Sequence, residues 1–369
     1  MNTAYSLKTD AEDAIKDLQN AFAGAAPHVV LFFASSTYDP HVLSKKMQDA
    51  FPNAAVFGCS SAGEIVNGQM LKHSVVAMAF GPDEIDGIKI HTIEDVHRDN
   101  AVEDAFTSFE RFYGKPMLDM DPEKYVGIIL VDGLSMAEER LIDRIGDLTN
   151  VVFIGGSAGD DLQFKSTHVF ADGKAYTKAA LLVLIQPKVG FDILKTQSFS
   201  PGGKELLATK VNEGARQVIE FDGKPAAVAY AEAIGVAVED APKYFMSRPV
   251  GLMVGAEPYV RSPQQIKDNT MIFYCNVKEG MKLSILDSAD IVQDTRKAVE
   301  TKIQEMGKVS GLINFHCILR TLELDDKGQA ESYGRIFSDI PTIGFSTYGE
   351  QYIGHINQTS TMLIFKSSD

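Results

Sequence analysis

Positive charge is in deficit: 35 Lys and Arg stand against 50 Asp and Glu, a formal charge of −15. That balance disfavours nucleic acid and anionic membrane surfaces as general partners. Cysteine is scarce too. Cys59, Cys275 and Cys317 are odd in number and widely spaced, so they read as reduced thiols and not as a disulfide framework. No apolar run approaches the roughly 20 residues needed to span a bilayer. Residues 1–13 carry three acids and lack a basic segment followed by an apolar one, so no signal peptide is expected. Low-complexity tracts are missing as well. These absences together predict a soluble cytoplasmic protein. Its 369 residues, 45% of them hydrophobic, are enough for two domains.

What is present is a recurring unit. Ile340-Pro341-Thr342-Ile343-Gly344-Phe345-Ser346-Thr347-Tyr348-Gly349-Glu350 reads as a short apolar strand breaking into a Gly/Ser/Thr turn that ends in a carboxylate. Ala55-Val56-Phe57-Gly58-Cys59-Ser60-Ser61-Ala62-Gly63-Glu64 superposes on it without a gap, and residues 152–160 offer a third copy, one residue tighter. Glycine permits positive φ and close backbone approach, while exposed turn amides bind an anion or a carbonyl. The alternative is a tight strand exit whose polar side chains satisfy one another.

Along the chain, helical spacing is expected over residues 11–22, 41–51, 101–113, 136–148, 226–235 and 288–306. Apolar strands are expected at 28–34, 75–80, 125–131, 250–254, 269–276, 281–285, 311–319 and 361–365. A meander follows the third Gly unit: 167–170, an Asp172-Gly173 hairpin turn, 175–185 and 189–198. Ser200-Pro201-Gly202-Gly203-Lys204 is a turn cluster, with a domain junction expected between it and Lys224-Pro225. The fold class is α/β: two domains, residues 1–223 and 224–369, with mixed sheets and flanking helices.

Several chemical motifs fail on spacing. No phosphate-binding loop, H-E-x-x-H, C-x-x-C or EF-hand loop occurs, and His91 and His97 sit among charges on an expected surface connection. Gly155-Gly156-Ser157-Ala158-Gly159 does match G-x-S-x-G after an apolar strand, the setting of a hydrolase nucleophile, here Ser157. The segment that follows is a poor helix start. Cys59 at a strand exit reads as a buried thiol. In residues 312–320, strand alternation puts Asn314, His316, Ile318 and Arg320 on one face, a row that either lines a pocket or faces solvent. His355, two residues before Asn357, is either structural or a haem ligand.

Four stretches together resemble the FIST sensory proteins: Gly58 to Ile65, the acidic turn from Gly155 to Asp161, Phe315 to Arg320, and Gly344 to Glu350 with Asn357-Gln358-Thr359. The resemblance covers nearly the whole chain as a FIST N region followed by a FIST C region. It implies a small-molecule sensor with no enzymatic activity. The ending Gly349-Glu350-Gln351-Tyr352-Ile353-Gly354-His355-Ile356-Asn357-Gln358-Thr359 is most similar to the haem-binding, nitric-oxide-sensing NosP subgroup. That likeness implies non-covalent haem b, NO as gas ligand, and a histidine kinase or cyclic-di-GMP enzyme as partner, with a homodimer left open. It favours His355 as axial metal ligand and His316 second, with Phe315, Phe345, Tyr348 and Tyr352 as pocket walls. The alternative within the family is a haem-free sensor of a small metabolite such as an amino acid. There the turns carrying Ser60 and Ser346 would hold the carboxylate, and Glu64 and Glu350 the amine.

Overall fold

The Gly/Ser unit heads a motif that the chain builds three times. In the computed structural model, which describes residues 1–367, the first copy runs β1 (Asn2–Ser6), α1 (Ala11–Ala21), β2 (Val29–Ser35), α2 (Pro40–Ala50), β3 (Ala55–Ser61), β4 (Glu64–Val66), β5 (Gln69–Leu71) and β6 (Val75–Phe80). The second keeps that order: β7 (Ile85–Ile93), α3 (Ala101–Tyr113), β8 (Val126–Val131), α4 (Glu138–Leu148), β9 (Phe153–Ser157), β10 (Val169–Ala171), β11 (Lys174–Tyr176) and β12 (Ala180–Pro187). The third opens with β13 (Phe191–Thr196) and is interrupted by an insertion. The insertion comprises β14 (Phe199–Asn212), β15 (Gln217–Phe221), β16 (Lys224–Pro225), α5 (Ala226–Ile234), β17 (Val250–Val254), β18 (Glu257–Arg261), β19 (Pro263–Lys267), β20 (Thr270–Phe273) and β21 (Lys282–Ser288). The third copy then resumes with α6 (Ile291–Met306), β22 (Val309–Cys317), α7 (Ile318–Asp326), α8 (Ala330–Gly334), β23 (Thr342–Thr347), β24 (Glu350–Tyr352), β25 (His355–Ile356) and β26 (Ser360–Lys366).

In each copy a helical crossover joins two parallel strands: β2 with β3, β8 with β9, β22 with β23. The last strand returns antiparallel beside the first of that pair, so β6 lies on β2, β12 on β8 and β26 on β22. The short hairpins are exchanged in a cycle. β4–β5 joins β23 of the third copy, β24–β25 joins β9 of the second, and β10–β11 joins β3 of the first. Three six-stranded sheets therefore close on one another, and the insertion makes an eight-stranded sheet of its own. The central strands read as unbroken apolar runs because both faces are covered, helices outside and the shared core inside. Phe33, Phe57, Ile128, Ile154, Phe315, Phe345 and Leu363, from all three sheets, meet in that core.

Helix starts follow local chemistry. Asp10 caps α1 by accepting from the Glu12 and Asp13 amides, and Asp39 caps α2 ahead of Pro40. The glycines at the strand exits have a steric cause. Gly58, Gly155 and Gly344 lie opposite Phe32, Ile129 and Asn314 on the parallel neighbour. A Cβ there would come within 1.8, 1.7 and 2.3 Å of that neighbour's carbonyl oxygen.

The α/β class with mixed sheets holds, and so does the 171–174 hairpin turn, where Asp172 and Gly173 take φ of 51° and 72°. Other expectations are corrected. Residues 200–204 do not turn the chain: β14 runs through them with a register shift between Pro201 and Glu205, so the turn residues are absorbed as a bulge. The strand expected over 311–319 ends at Cys317, and Ile318 and Arg320 belong to α7, not to the polar strand row. His91 lies in β7, paired with Leu182, whereas His97 is in an exposed turn. Apart from these corrections, chain position 223/224 lies within the inserted sheet, between the mutually paired β15 and β16. Among the described residues no helix is long and apolar enough to cross a membrane.

Candidate functional site

The three Gly/Ser turns converge and lock each other. The Ala62 amide donates to the Ser346 carbonyl (3.1 Å), Tyr348 to Ser157 (3.0 Å) and Gly159 to Ser60 (3.0 Å), a closed cycle in which the three serines are equivalent. Ser346 and Ser157 amides donate in turn to the Gly63 and Gly349 carbonyls, both at 2.8 Å. Ser60 Oγ donates to the Gly159 carbonyl at 2.7 Å, and Ser346 Oγ bonds Thr321 Oγ1 at 2.8 Å. These amides and hydroxyls serve the joint between copies.

The turn carboxylates are equally occupied. Glu64 accepts from the hydroxyls of Ser61 and Ser74 and from the Ser74 amide at 3.1 Å. Glu350 repeats the pattern with Thr347 and with Thr359, whose hydroxyl is at 2.7 Å. Both are buried, and burial pushes Glu64 up to about 8 and Glu350 up to about 7. Ser157 is fully buried, donates to Glu138 Oε1 and accepts from Gln351 Nε2, each at 3.0 Å. Among the described residues no histidine bonds its hydroxyl.

The two candidate axial histidines lie in different surroundings. His355 donates from Nε2 to the Tyr274 carbonyl at 3.3 Å and accepts at Nδ1 from Gln351 Nε2 at 3.2 Å. That is the bonding of a neutral imidazole, and burial lowers its pKa accordingly. His316 bonds the Tyr333 hydroxyl through Nδ1 at 2.9 Å, and its Nε2 has no partner. Phe315, on the opposite face of β22, packs edge-on against Phe345 in the central core, 6.0 Å between centroids. Tyr352 is half-buried in β24. The six residues do not surround one space as folded: His355 has both ring nitrogens engaged, His316 keeps Nε2 free, and neither histidine lines the cavity described next. Among the described residues no group of three histidine, cysteine or carboxylate side chains is placed to hold a metal ion.

A cavity of about 460 Å³ lies between the threefold core and the inserted sheet, within the range of small-molecule sites. The core side supplies Leu134 and Met136 after β8, Leu162 and Phe164 after β9, the start of α7, Tyr348 and Asn357. The insertion supplies Arg216, Gln264, Ile272, Phe273 and Tyr274. Phe164 stacks on Tyr348 at 5.0 Å, and both the Tyr348 hydroxyl and the backbone amides of Phe164, Lys165 and Ser166 bond to Asp160. Met136, Leu162 and Phe164 have φ of 54°, 63° and 52°, left-handed values that bulky side chains avoid unless the surroundings impose them. Across the cavity Arg216 is clamped by Glu138 (2.7 Å), Glu139 (2.6 Å) and the Tyr274 carbonyl (2.9 Å). A larger opening of about 710 Å³ between α3 and α4 is a surface cleft whose charges pair with each other, Arg144 with Glu103 and Arg140 with Asp99.

Of the residues singled out in the sequence, the cavity gathers Tyr348 alone among the candidate haem walls. It also takes Asn357, read there as a partner for His355. Arg216 carried no sequence signal, Phe164 only that of an apolar residue after an acidic turn, and Leu319 only that of its place in the Phe315 to Arg320 stretch. The chain is 23% identical over 214 residues to an uncharacterized protein of Methanocaldococcus jannaschii, a match covering 54% of this chain and 40% of that protein's length. Residues 28–224 match the FIST N domain and residues 226–353 the FIST C domain, the two meeting within the inserted sheet. With both models matched in order over most of its length, the chain belongs to the FIST family, whose domains are sensory domains of signal transduction.

Proposed function

We propose that this FIST protein senses a small organic metabolite bound in the cavity between core and insertion. On this reading it acts in the cytoplasm by altered contact with a signalling partner, such as a histidine kinase or cyclic-di-GMP enzyme, and performs no catalysis. One observation carries the reading: Asn357 lines the cavity, is 1% exposed, and has no partner for either its amide nitrogen or its oxygen. A buried unpaired amide costs about 1–3 kcal/mol. A ligand offering one acceptor and one donor removes that cost.

The test is a thermal-shift screen of metabolites on wild-type protein and on Asn357→Leu. A compound that stabilises the wild type and loses at least ~10-fold in affinity in the variant supports the site, since a lost buried hydrogen-bond pair is worth about that much. Ligands that bind both proteins equally would move the site elsewhere. The haem-based NO sensor implied by the family likeness is the competing reading, and the unpartnered Nε2 of His316 is what favours it. Absorption spectra after expression with haem precursor separate the two. A Soret band that shifts on reduction and again with NO, and is lost in His316→Ala, would replace the metabolite reading.

A further inference from the structure

We infer that the metabolite is an organic acid with an apolar body, and that the cavity rejects amino acids and amines. This rests on the sensing role proposed for the cavity and concerns the chemistry of its walls. The body of the ligand is set by Leu134, Leu162, Phe164, Ile272, Phe273 and Leu322, which form an apolar sleeve. Its head is set by the polar groups on the wall. α7 begins there with Cys317, Ile318 and Leu319 lining the cavity. The cap residue is Cys317, which gives the first turn no side-chain cap hydrogen bond, and no acidic residue occupies that turn. The orphan N–H groups of a helix start and the positive end of its dipole therefore point to an anion. Asn357, buried and unpartnered on the same wall, adds an N–H donor for the acid and an acceptor for a neighbouring hydroxyl.

The complementary observation is that no Asp or Glu is among the residues lining the cavity. Carboxylates stand behind the walls, but each is committed. Glu138 and Glu139 are held by Arg216, and Asp160 by the backbone amides of its own loop and the Tyr348 hydroxyl. Arg216 is the one charged side chain on the surface of the cavity. An ammonium group entering this space would give up its hydration for no counter-charge. A carboxylate meets a helix start and an unpartnered amide, while Arg216 keeps the two glutamates behind the wall neutralised in part and turned away from the ligand. Glu64 and Glu350, expected from the sequence to bind an amine, lie outside the lining, with both oxygens taken by Ser and Thr groups.

The experiment is calorimetric titration of the full chain with matched triplets sharing one apolar body. These are 2-hydroxyisocaproate, leucine and isoamylamine; phenyllactate, phenylalanine and phenethylamine; indole-3-lactate, tryptophan and tryptamine. In at least one triplet the hydroxy acid is expected to bind at least ~10-fold more tightly than its amino acid, with no detectable binding of the amine. Asn357→Leu should weaken the acid at least ~10-fold, and Asn357→Asp, which sets a carboxylate against it, should weaken it further. Should the Asn357 variants fail to fold, Leu319→Trp, which fills the cavity beside the helix start, must abolish acid binding. An amino acid or amine that binds more tightly than its acid, or any other compound whose binding depends on Asn357 while no acid binds, overturns the inference and leaves the sensing cavity standing. Binding of nothing in an Asn357-dependent or Leu319-dependent way overturns both.

Discussion

Glu64 and Glu350 are the same residue in two copies of one motif, each sealed from water and surrounded by hydroxyl and amide donors. Burial outweighs those donors, so the folded protein favours the neutral acid, up to about 8 for Glu64 and about 7 for Glu350. In the unfolded chain both titrate near the ordinary value of 4.5. Between those values the native state holds the extra proton, so the stabilisation is complete at low pH and is lost as pH rises through the folded pKa. Glu64→Gln keeps the shape and removes the titration. Its stability in urea should match wild type below ~pH 4.5, pull ahead as pH rises, and exceed it by on the order of 4 to 5 kcal/mol near ~pH 8.5. A variant whose stability follows pH as the wild type does would show that Glu64 is ionised in the fold.

At the scale of the element, the strand exit is limited by how closely two parallel strands approach. At Gly155 a methyl group would stand 1.7 Å from the Ile129 carbonyl oxygen, and β9 cannot slide because it is paired on both sides, with β8 and β24. Gly155→Ala should therefore cost about 3 kcal/mol or more, measured by urea unfolding, while Gly146→Ala in α4, with open space around it, should be neutral or mildly stabilising. Equal effects at the two positions would remove the steric account. This element was the part most legible in the sequence, because Gly-x-Ser turns and apolar runs are local signals. Helices α1, α2 and α3 were legible for the same reason, their apolar spacing and caps being contained in one stretch. The start of α7 was not, since Ile318-Leu319 continue the apolar character of β22 and no Ser, Thr, Asp or Asn marks the cap. Nor was the exchange of hairpins, in which β4 finds its partner β23 some 280 residues away. The cavity stayed hidden for that reason. Its walls come from six separate stretches of chain, between residues 133 and 357, and nothing in Asn357 itself declares that its amide lacks a partner.

At the scale of the molecule, the insertion is tied to the threefold core by a small number of polar links beside the cavity. Arg216 reaches from the inserted sheet to Glu138 and Glu139 on α4, the Asn276 amide donates to Glu139 at 2.8 Å, and His355 donates to the Tyr274 carbonyl. Glu138 also accepts from Ser157, so the clamp is continuous with the cycle that joins the three turns. A ligand lying between Leu319 and Phe273 contacts both sides of this joint. On the proposed reading, its binding energy would enter the balance between a clamped and a loosened insertion, the kind of two-state element through which sensing is transmitted. Arg216→Met should loosen the joint, since it leaves Glu138 and Glu139 partly buried without their cation, a loss of about 3 kcal/mol or more for a buried pair. Amide hydrogen exchange in β19 and β20 should then speed at least ~10-fold while β2, β8 and β22 keep their protection. Glu139→Gln added to Arg216→Met should restore part of that protection, because it removes one of the two stranded charges. Protection unchanged in the single variant would mean that the remaining contacts, polar and apolar, hold the insertion without Arg216. The clamp would then be no part of how a bound ligand is reported.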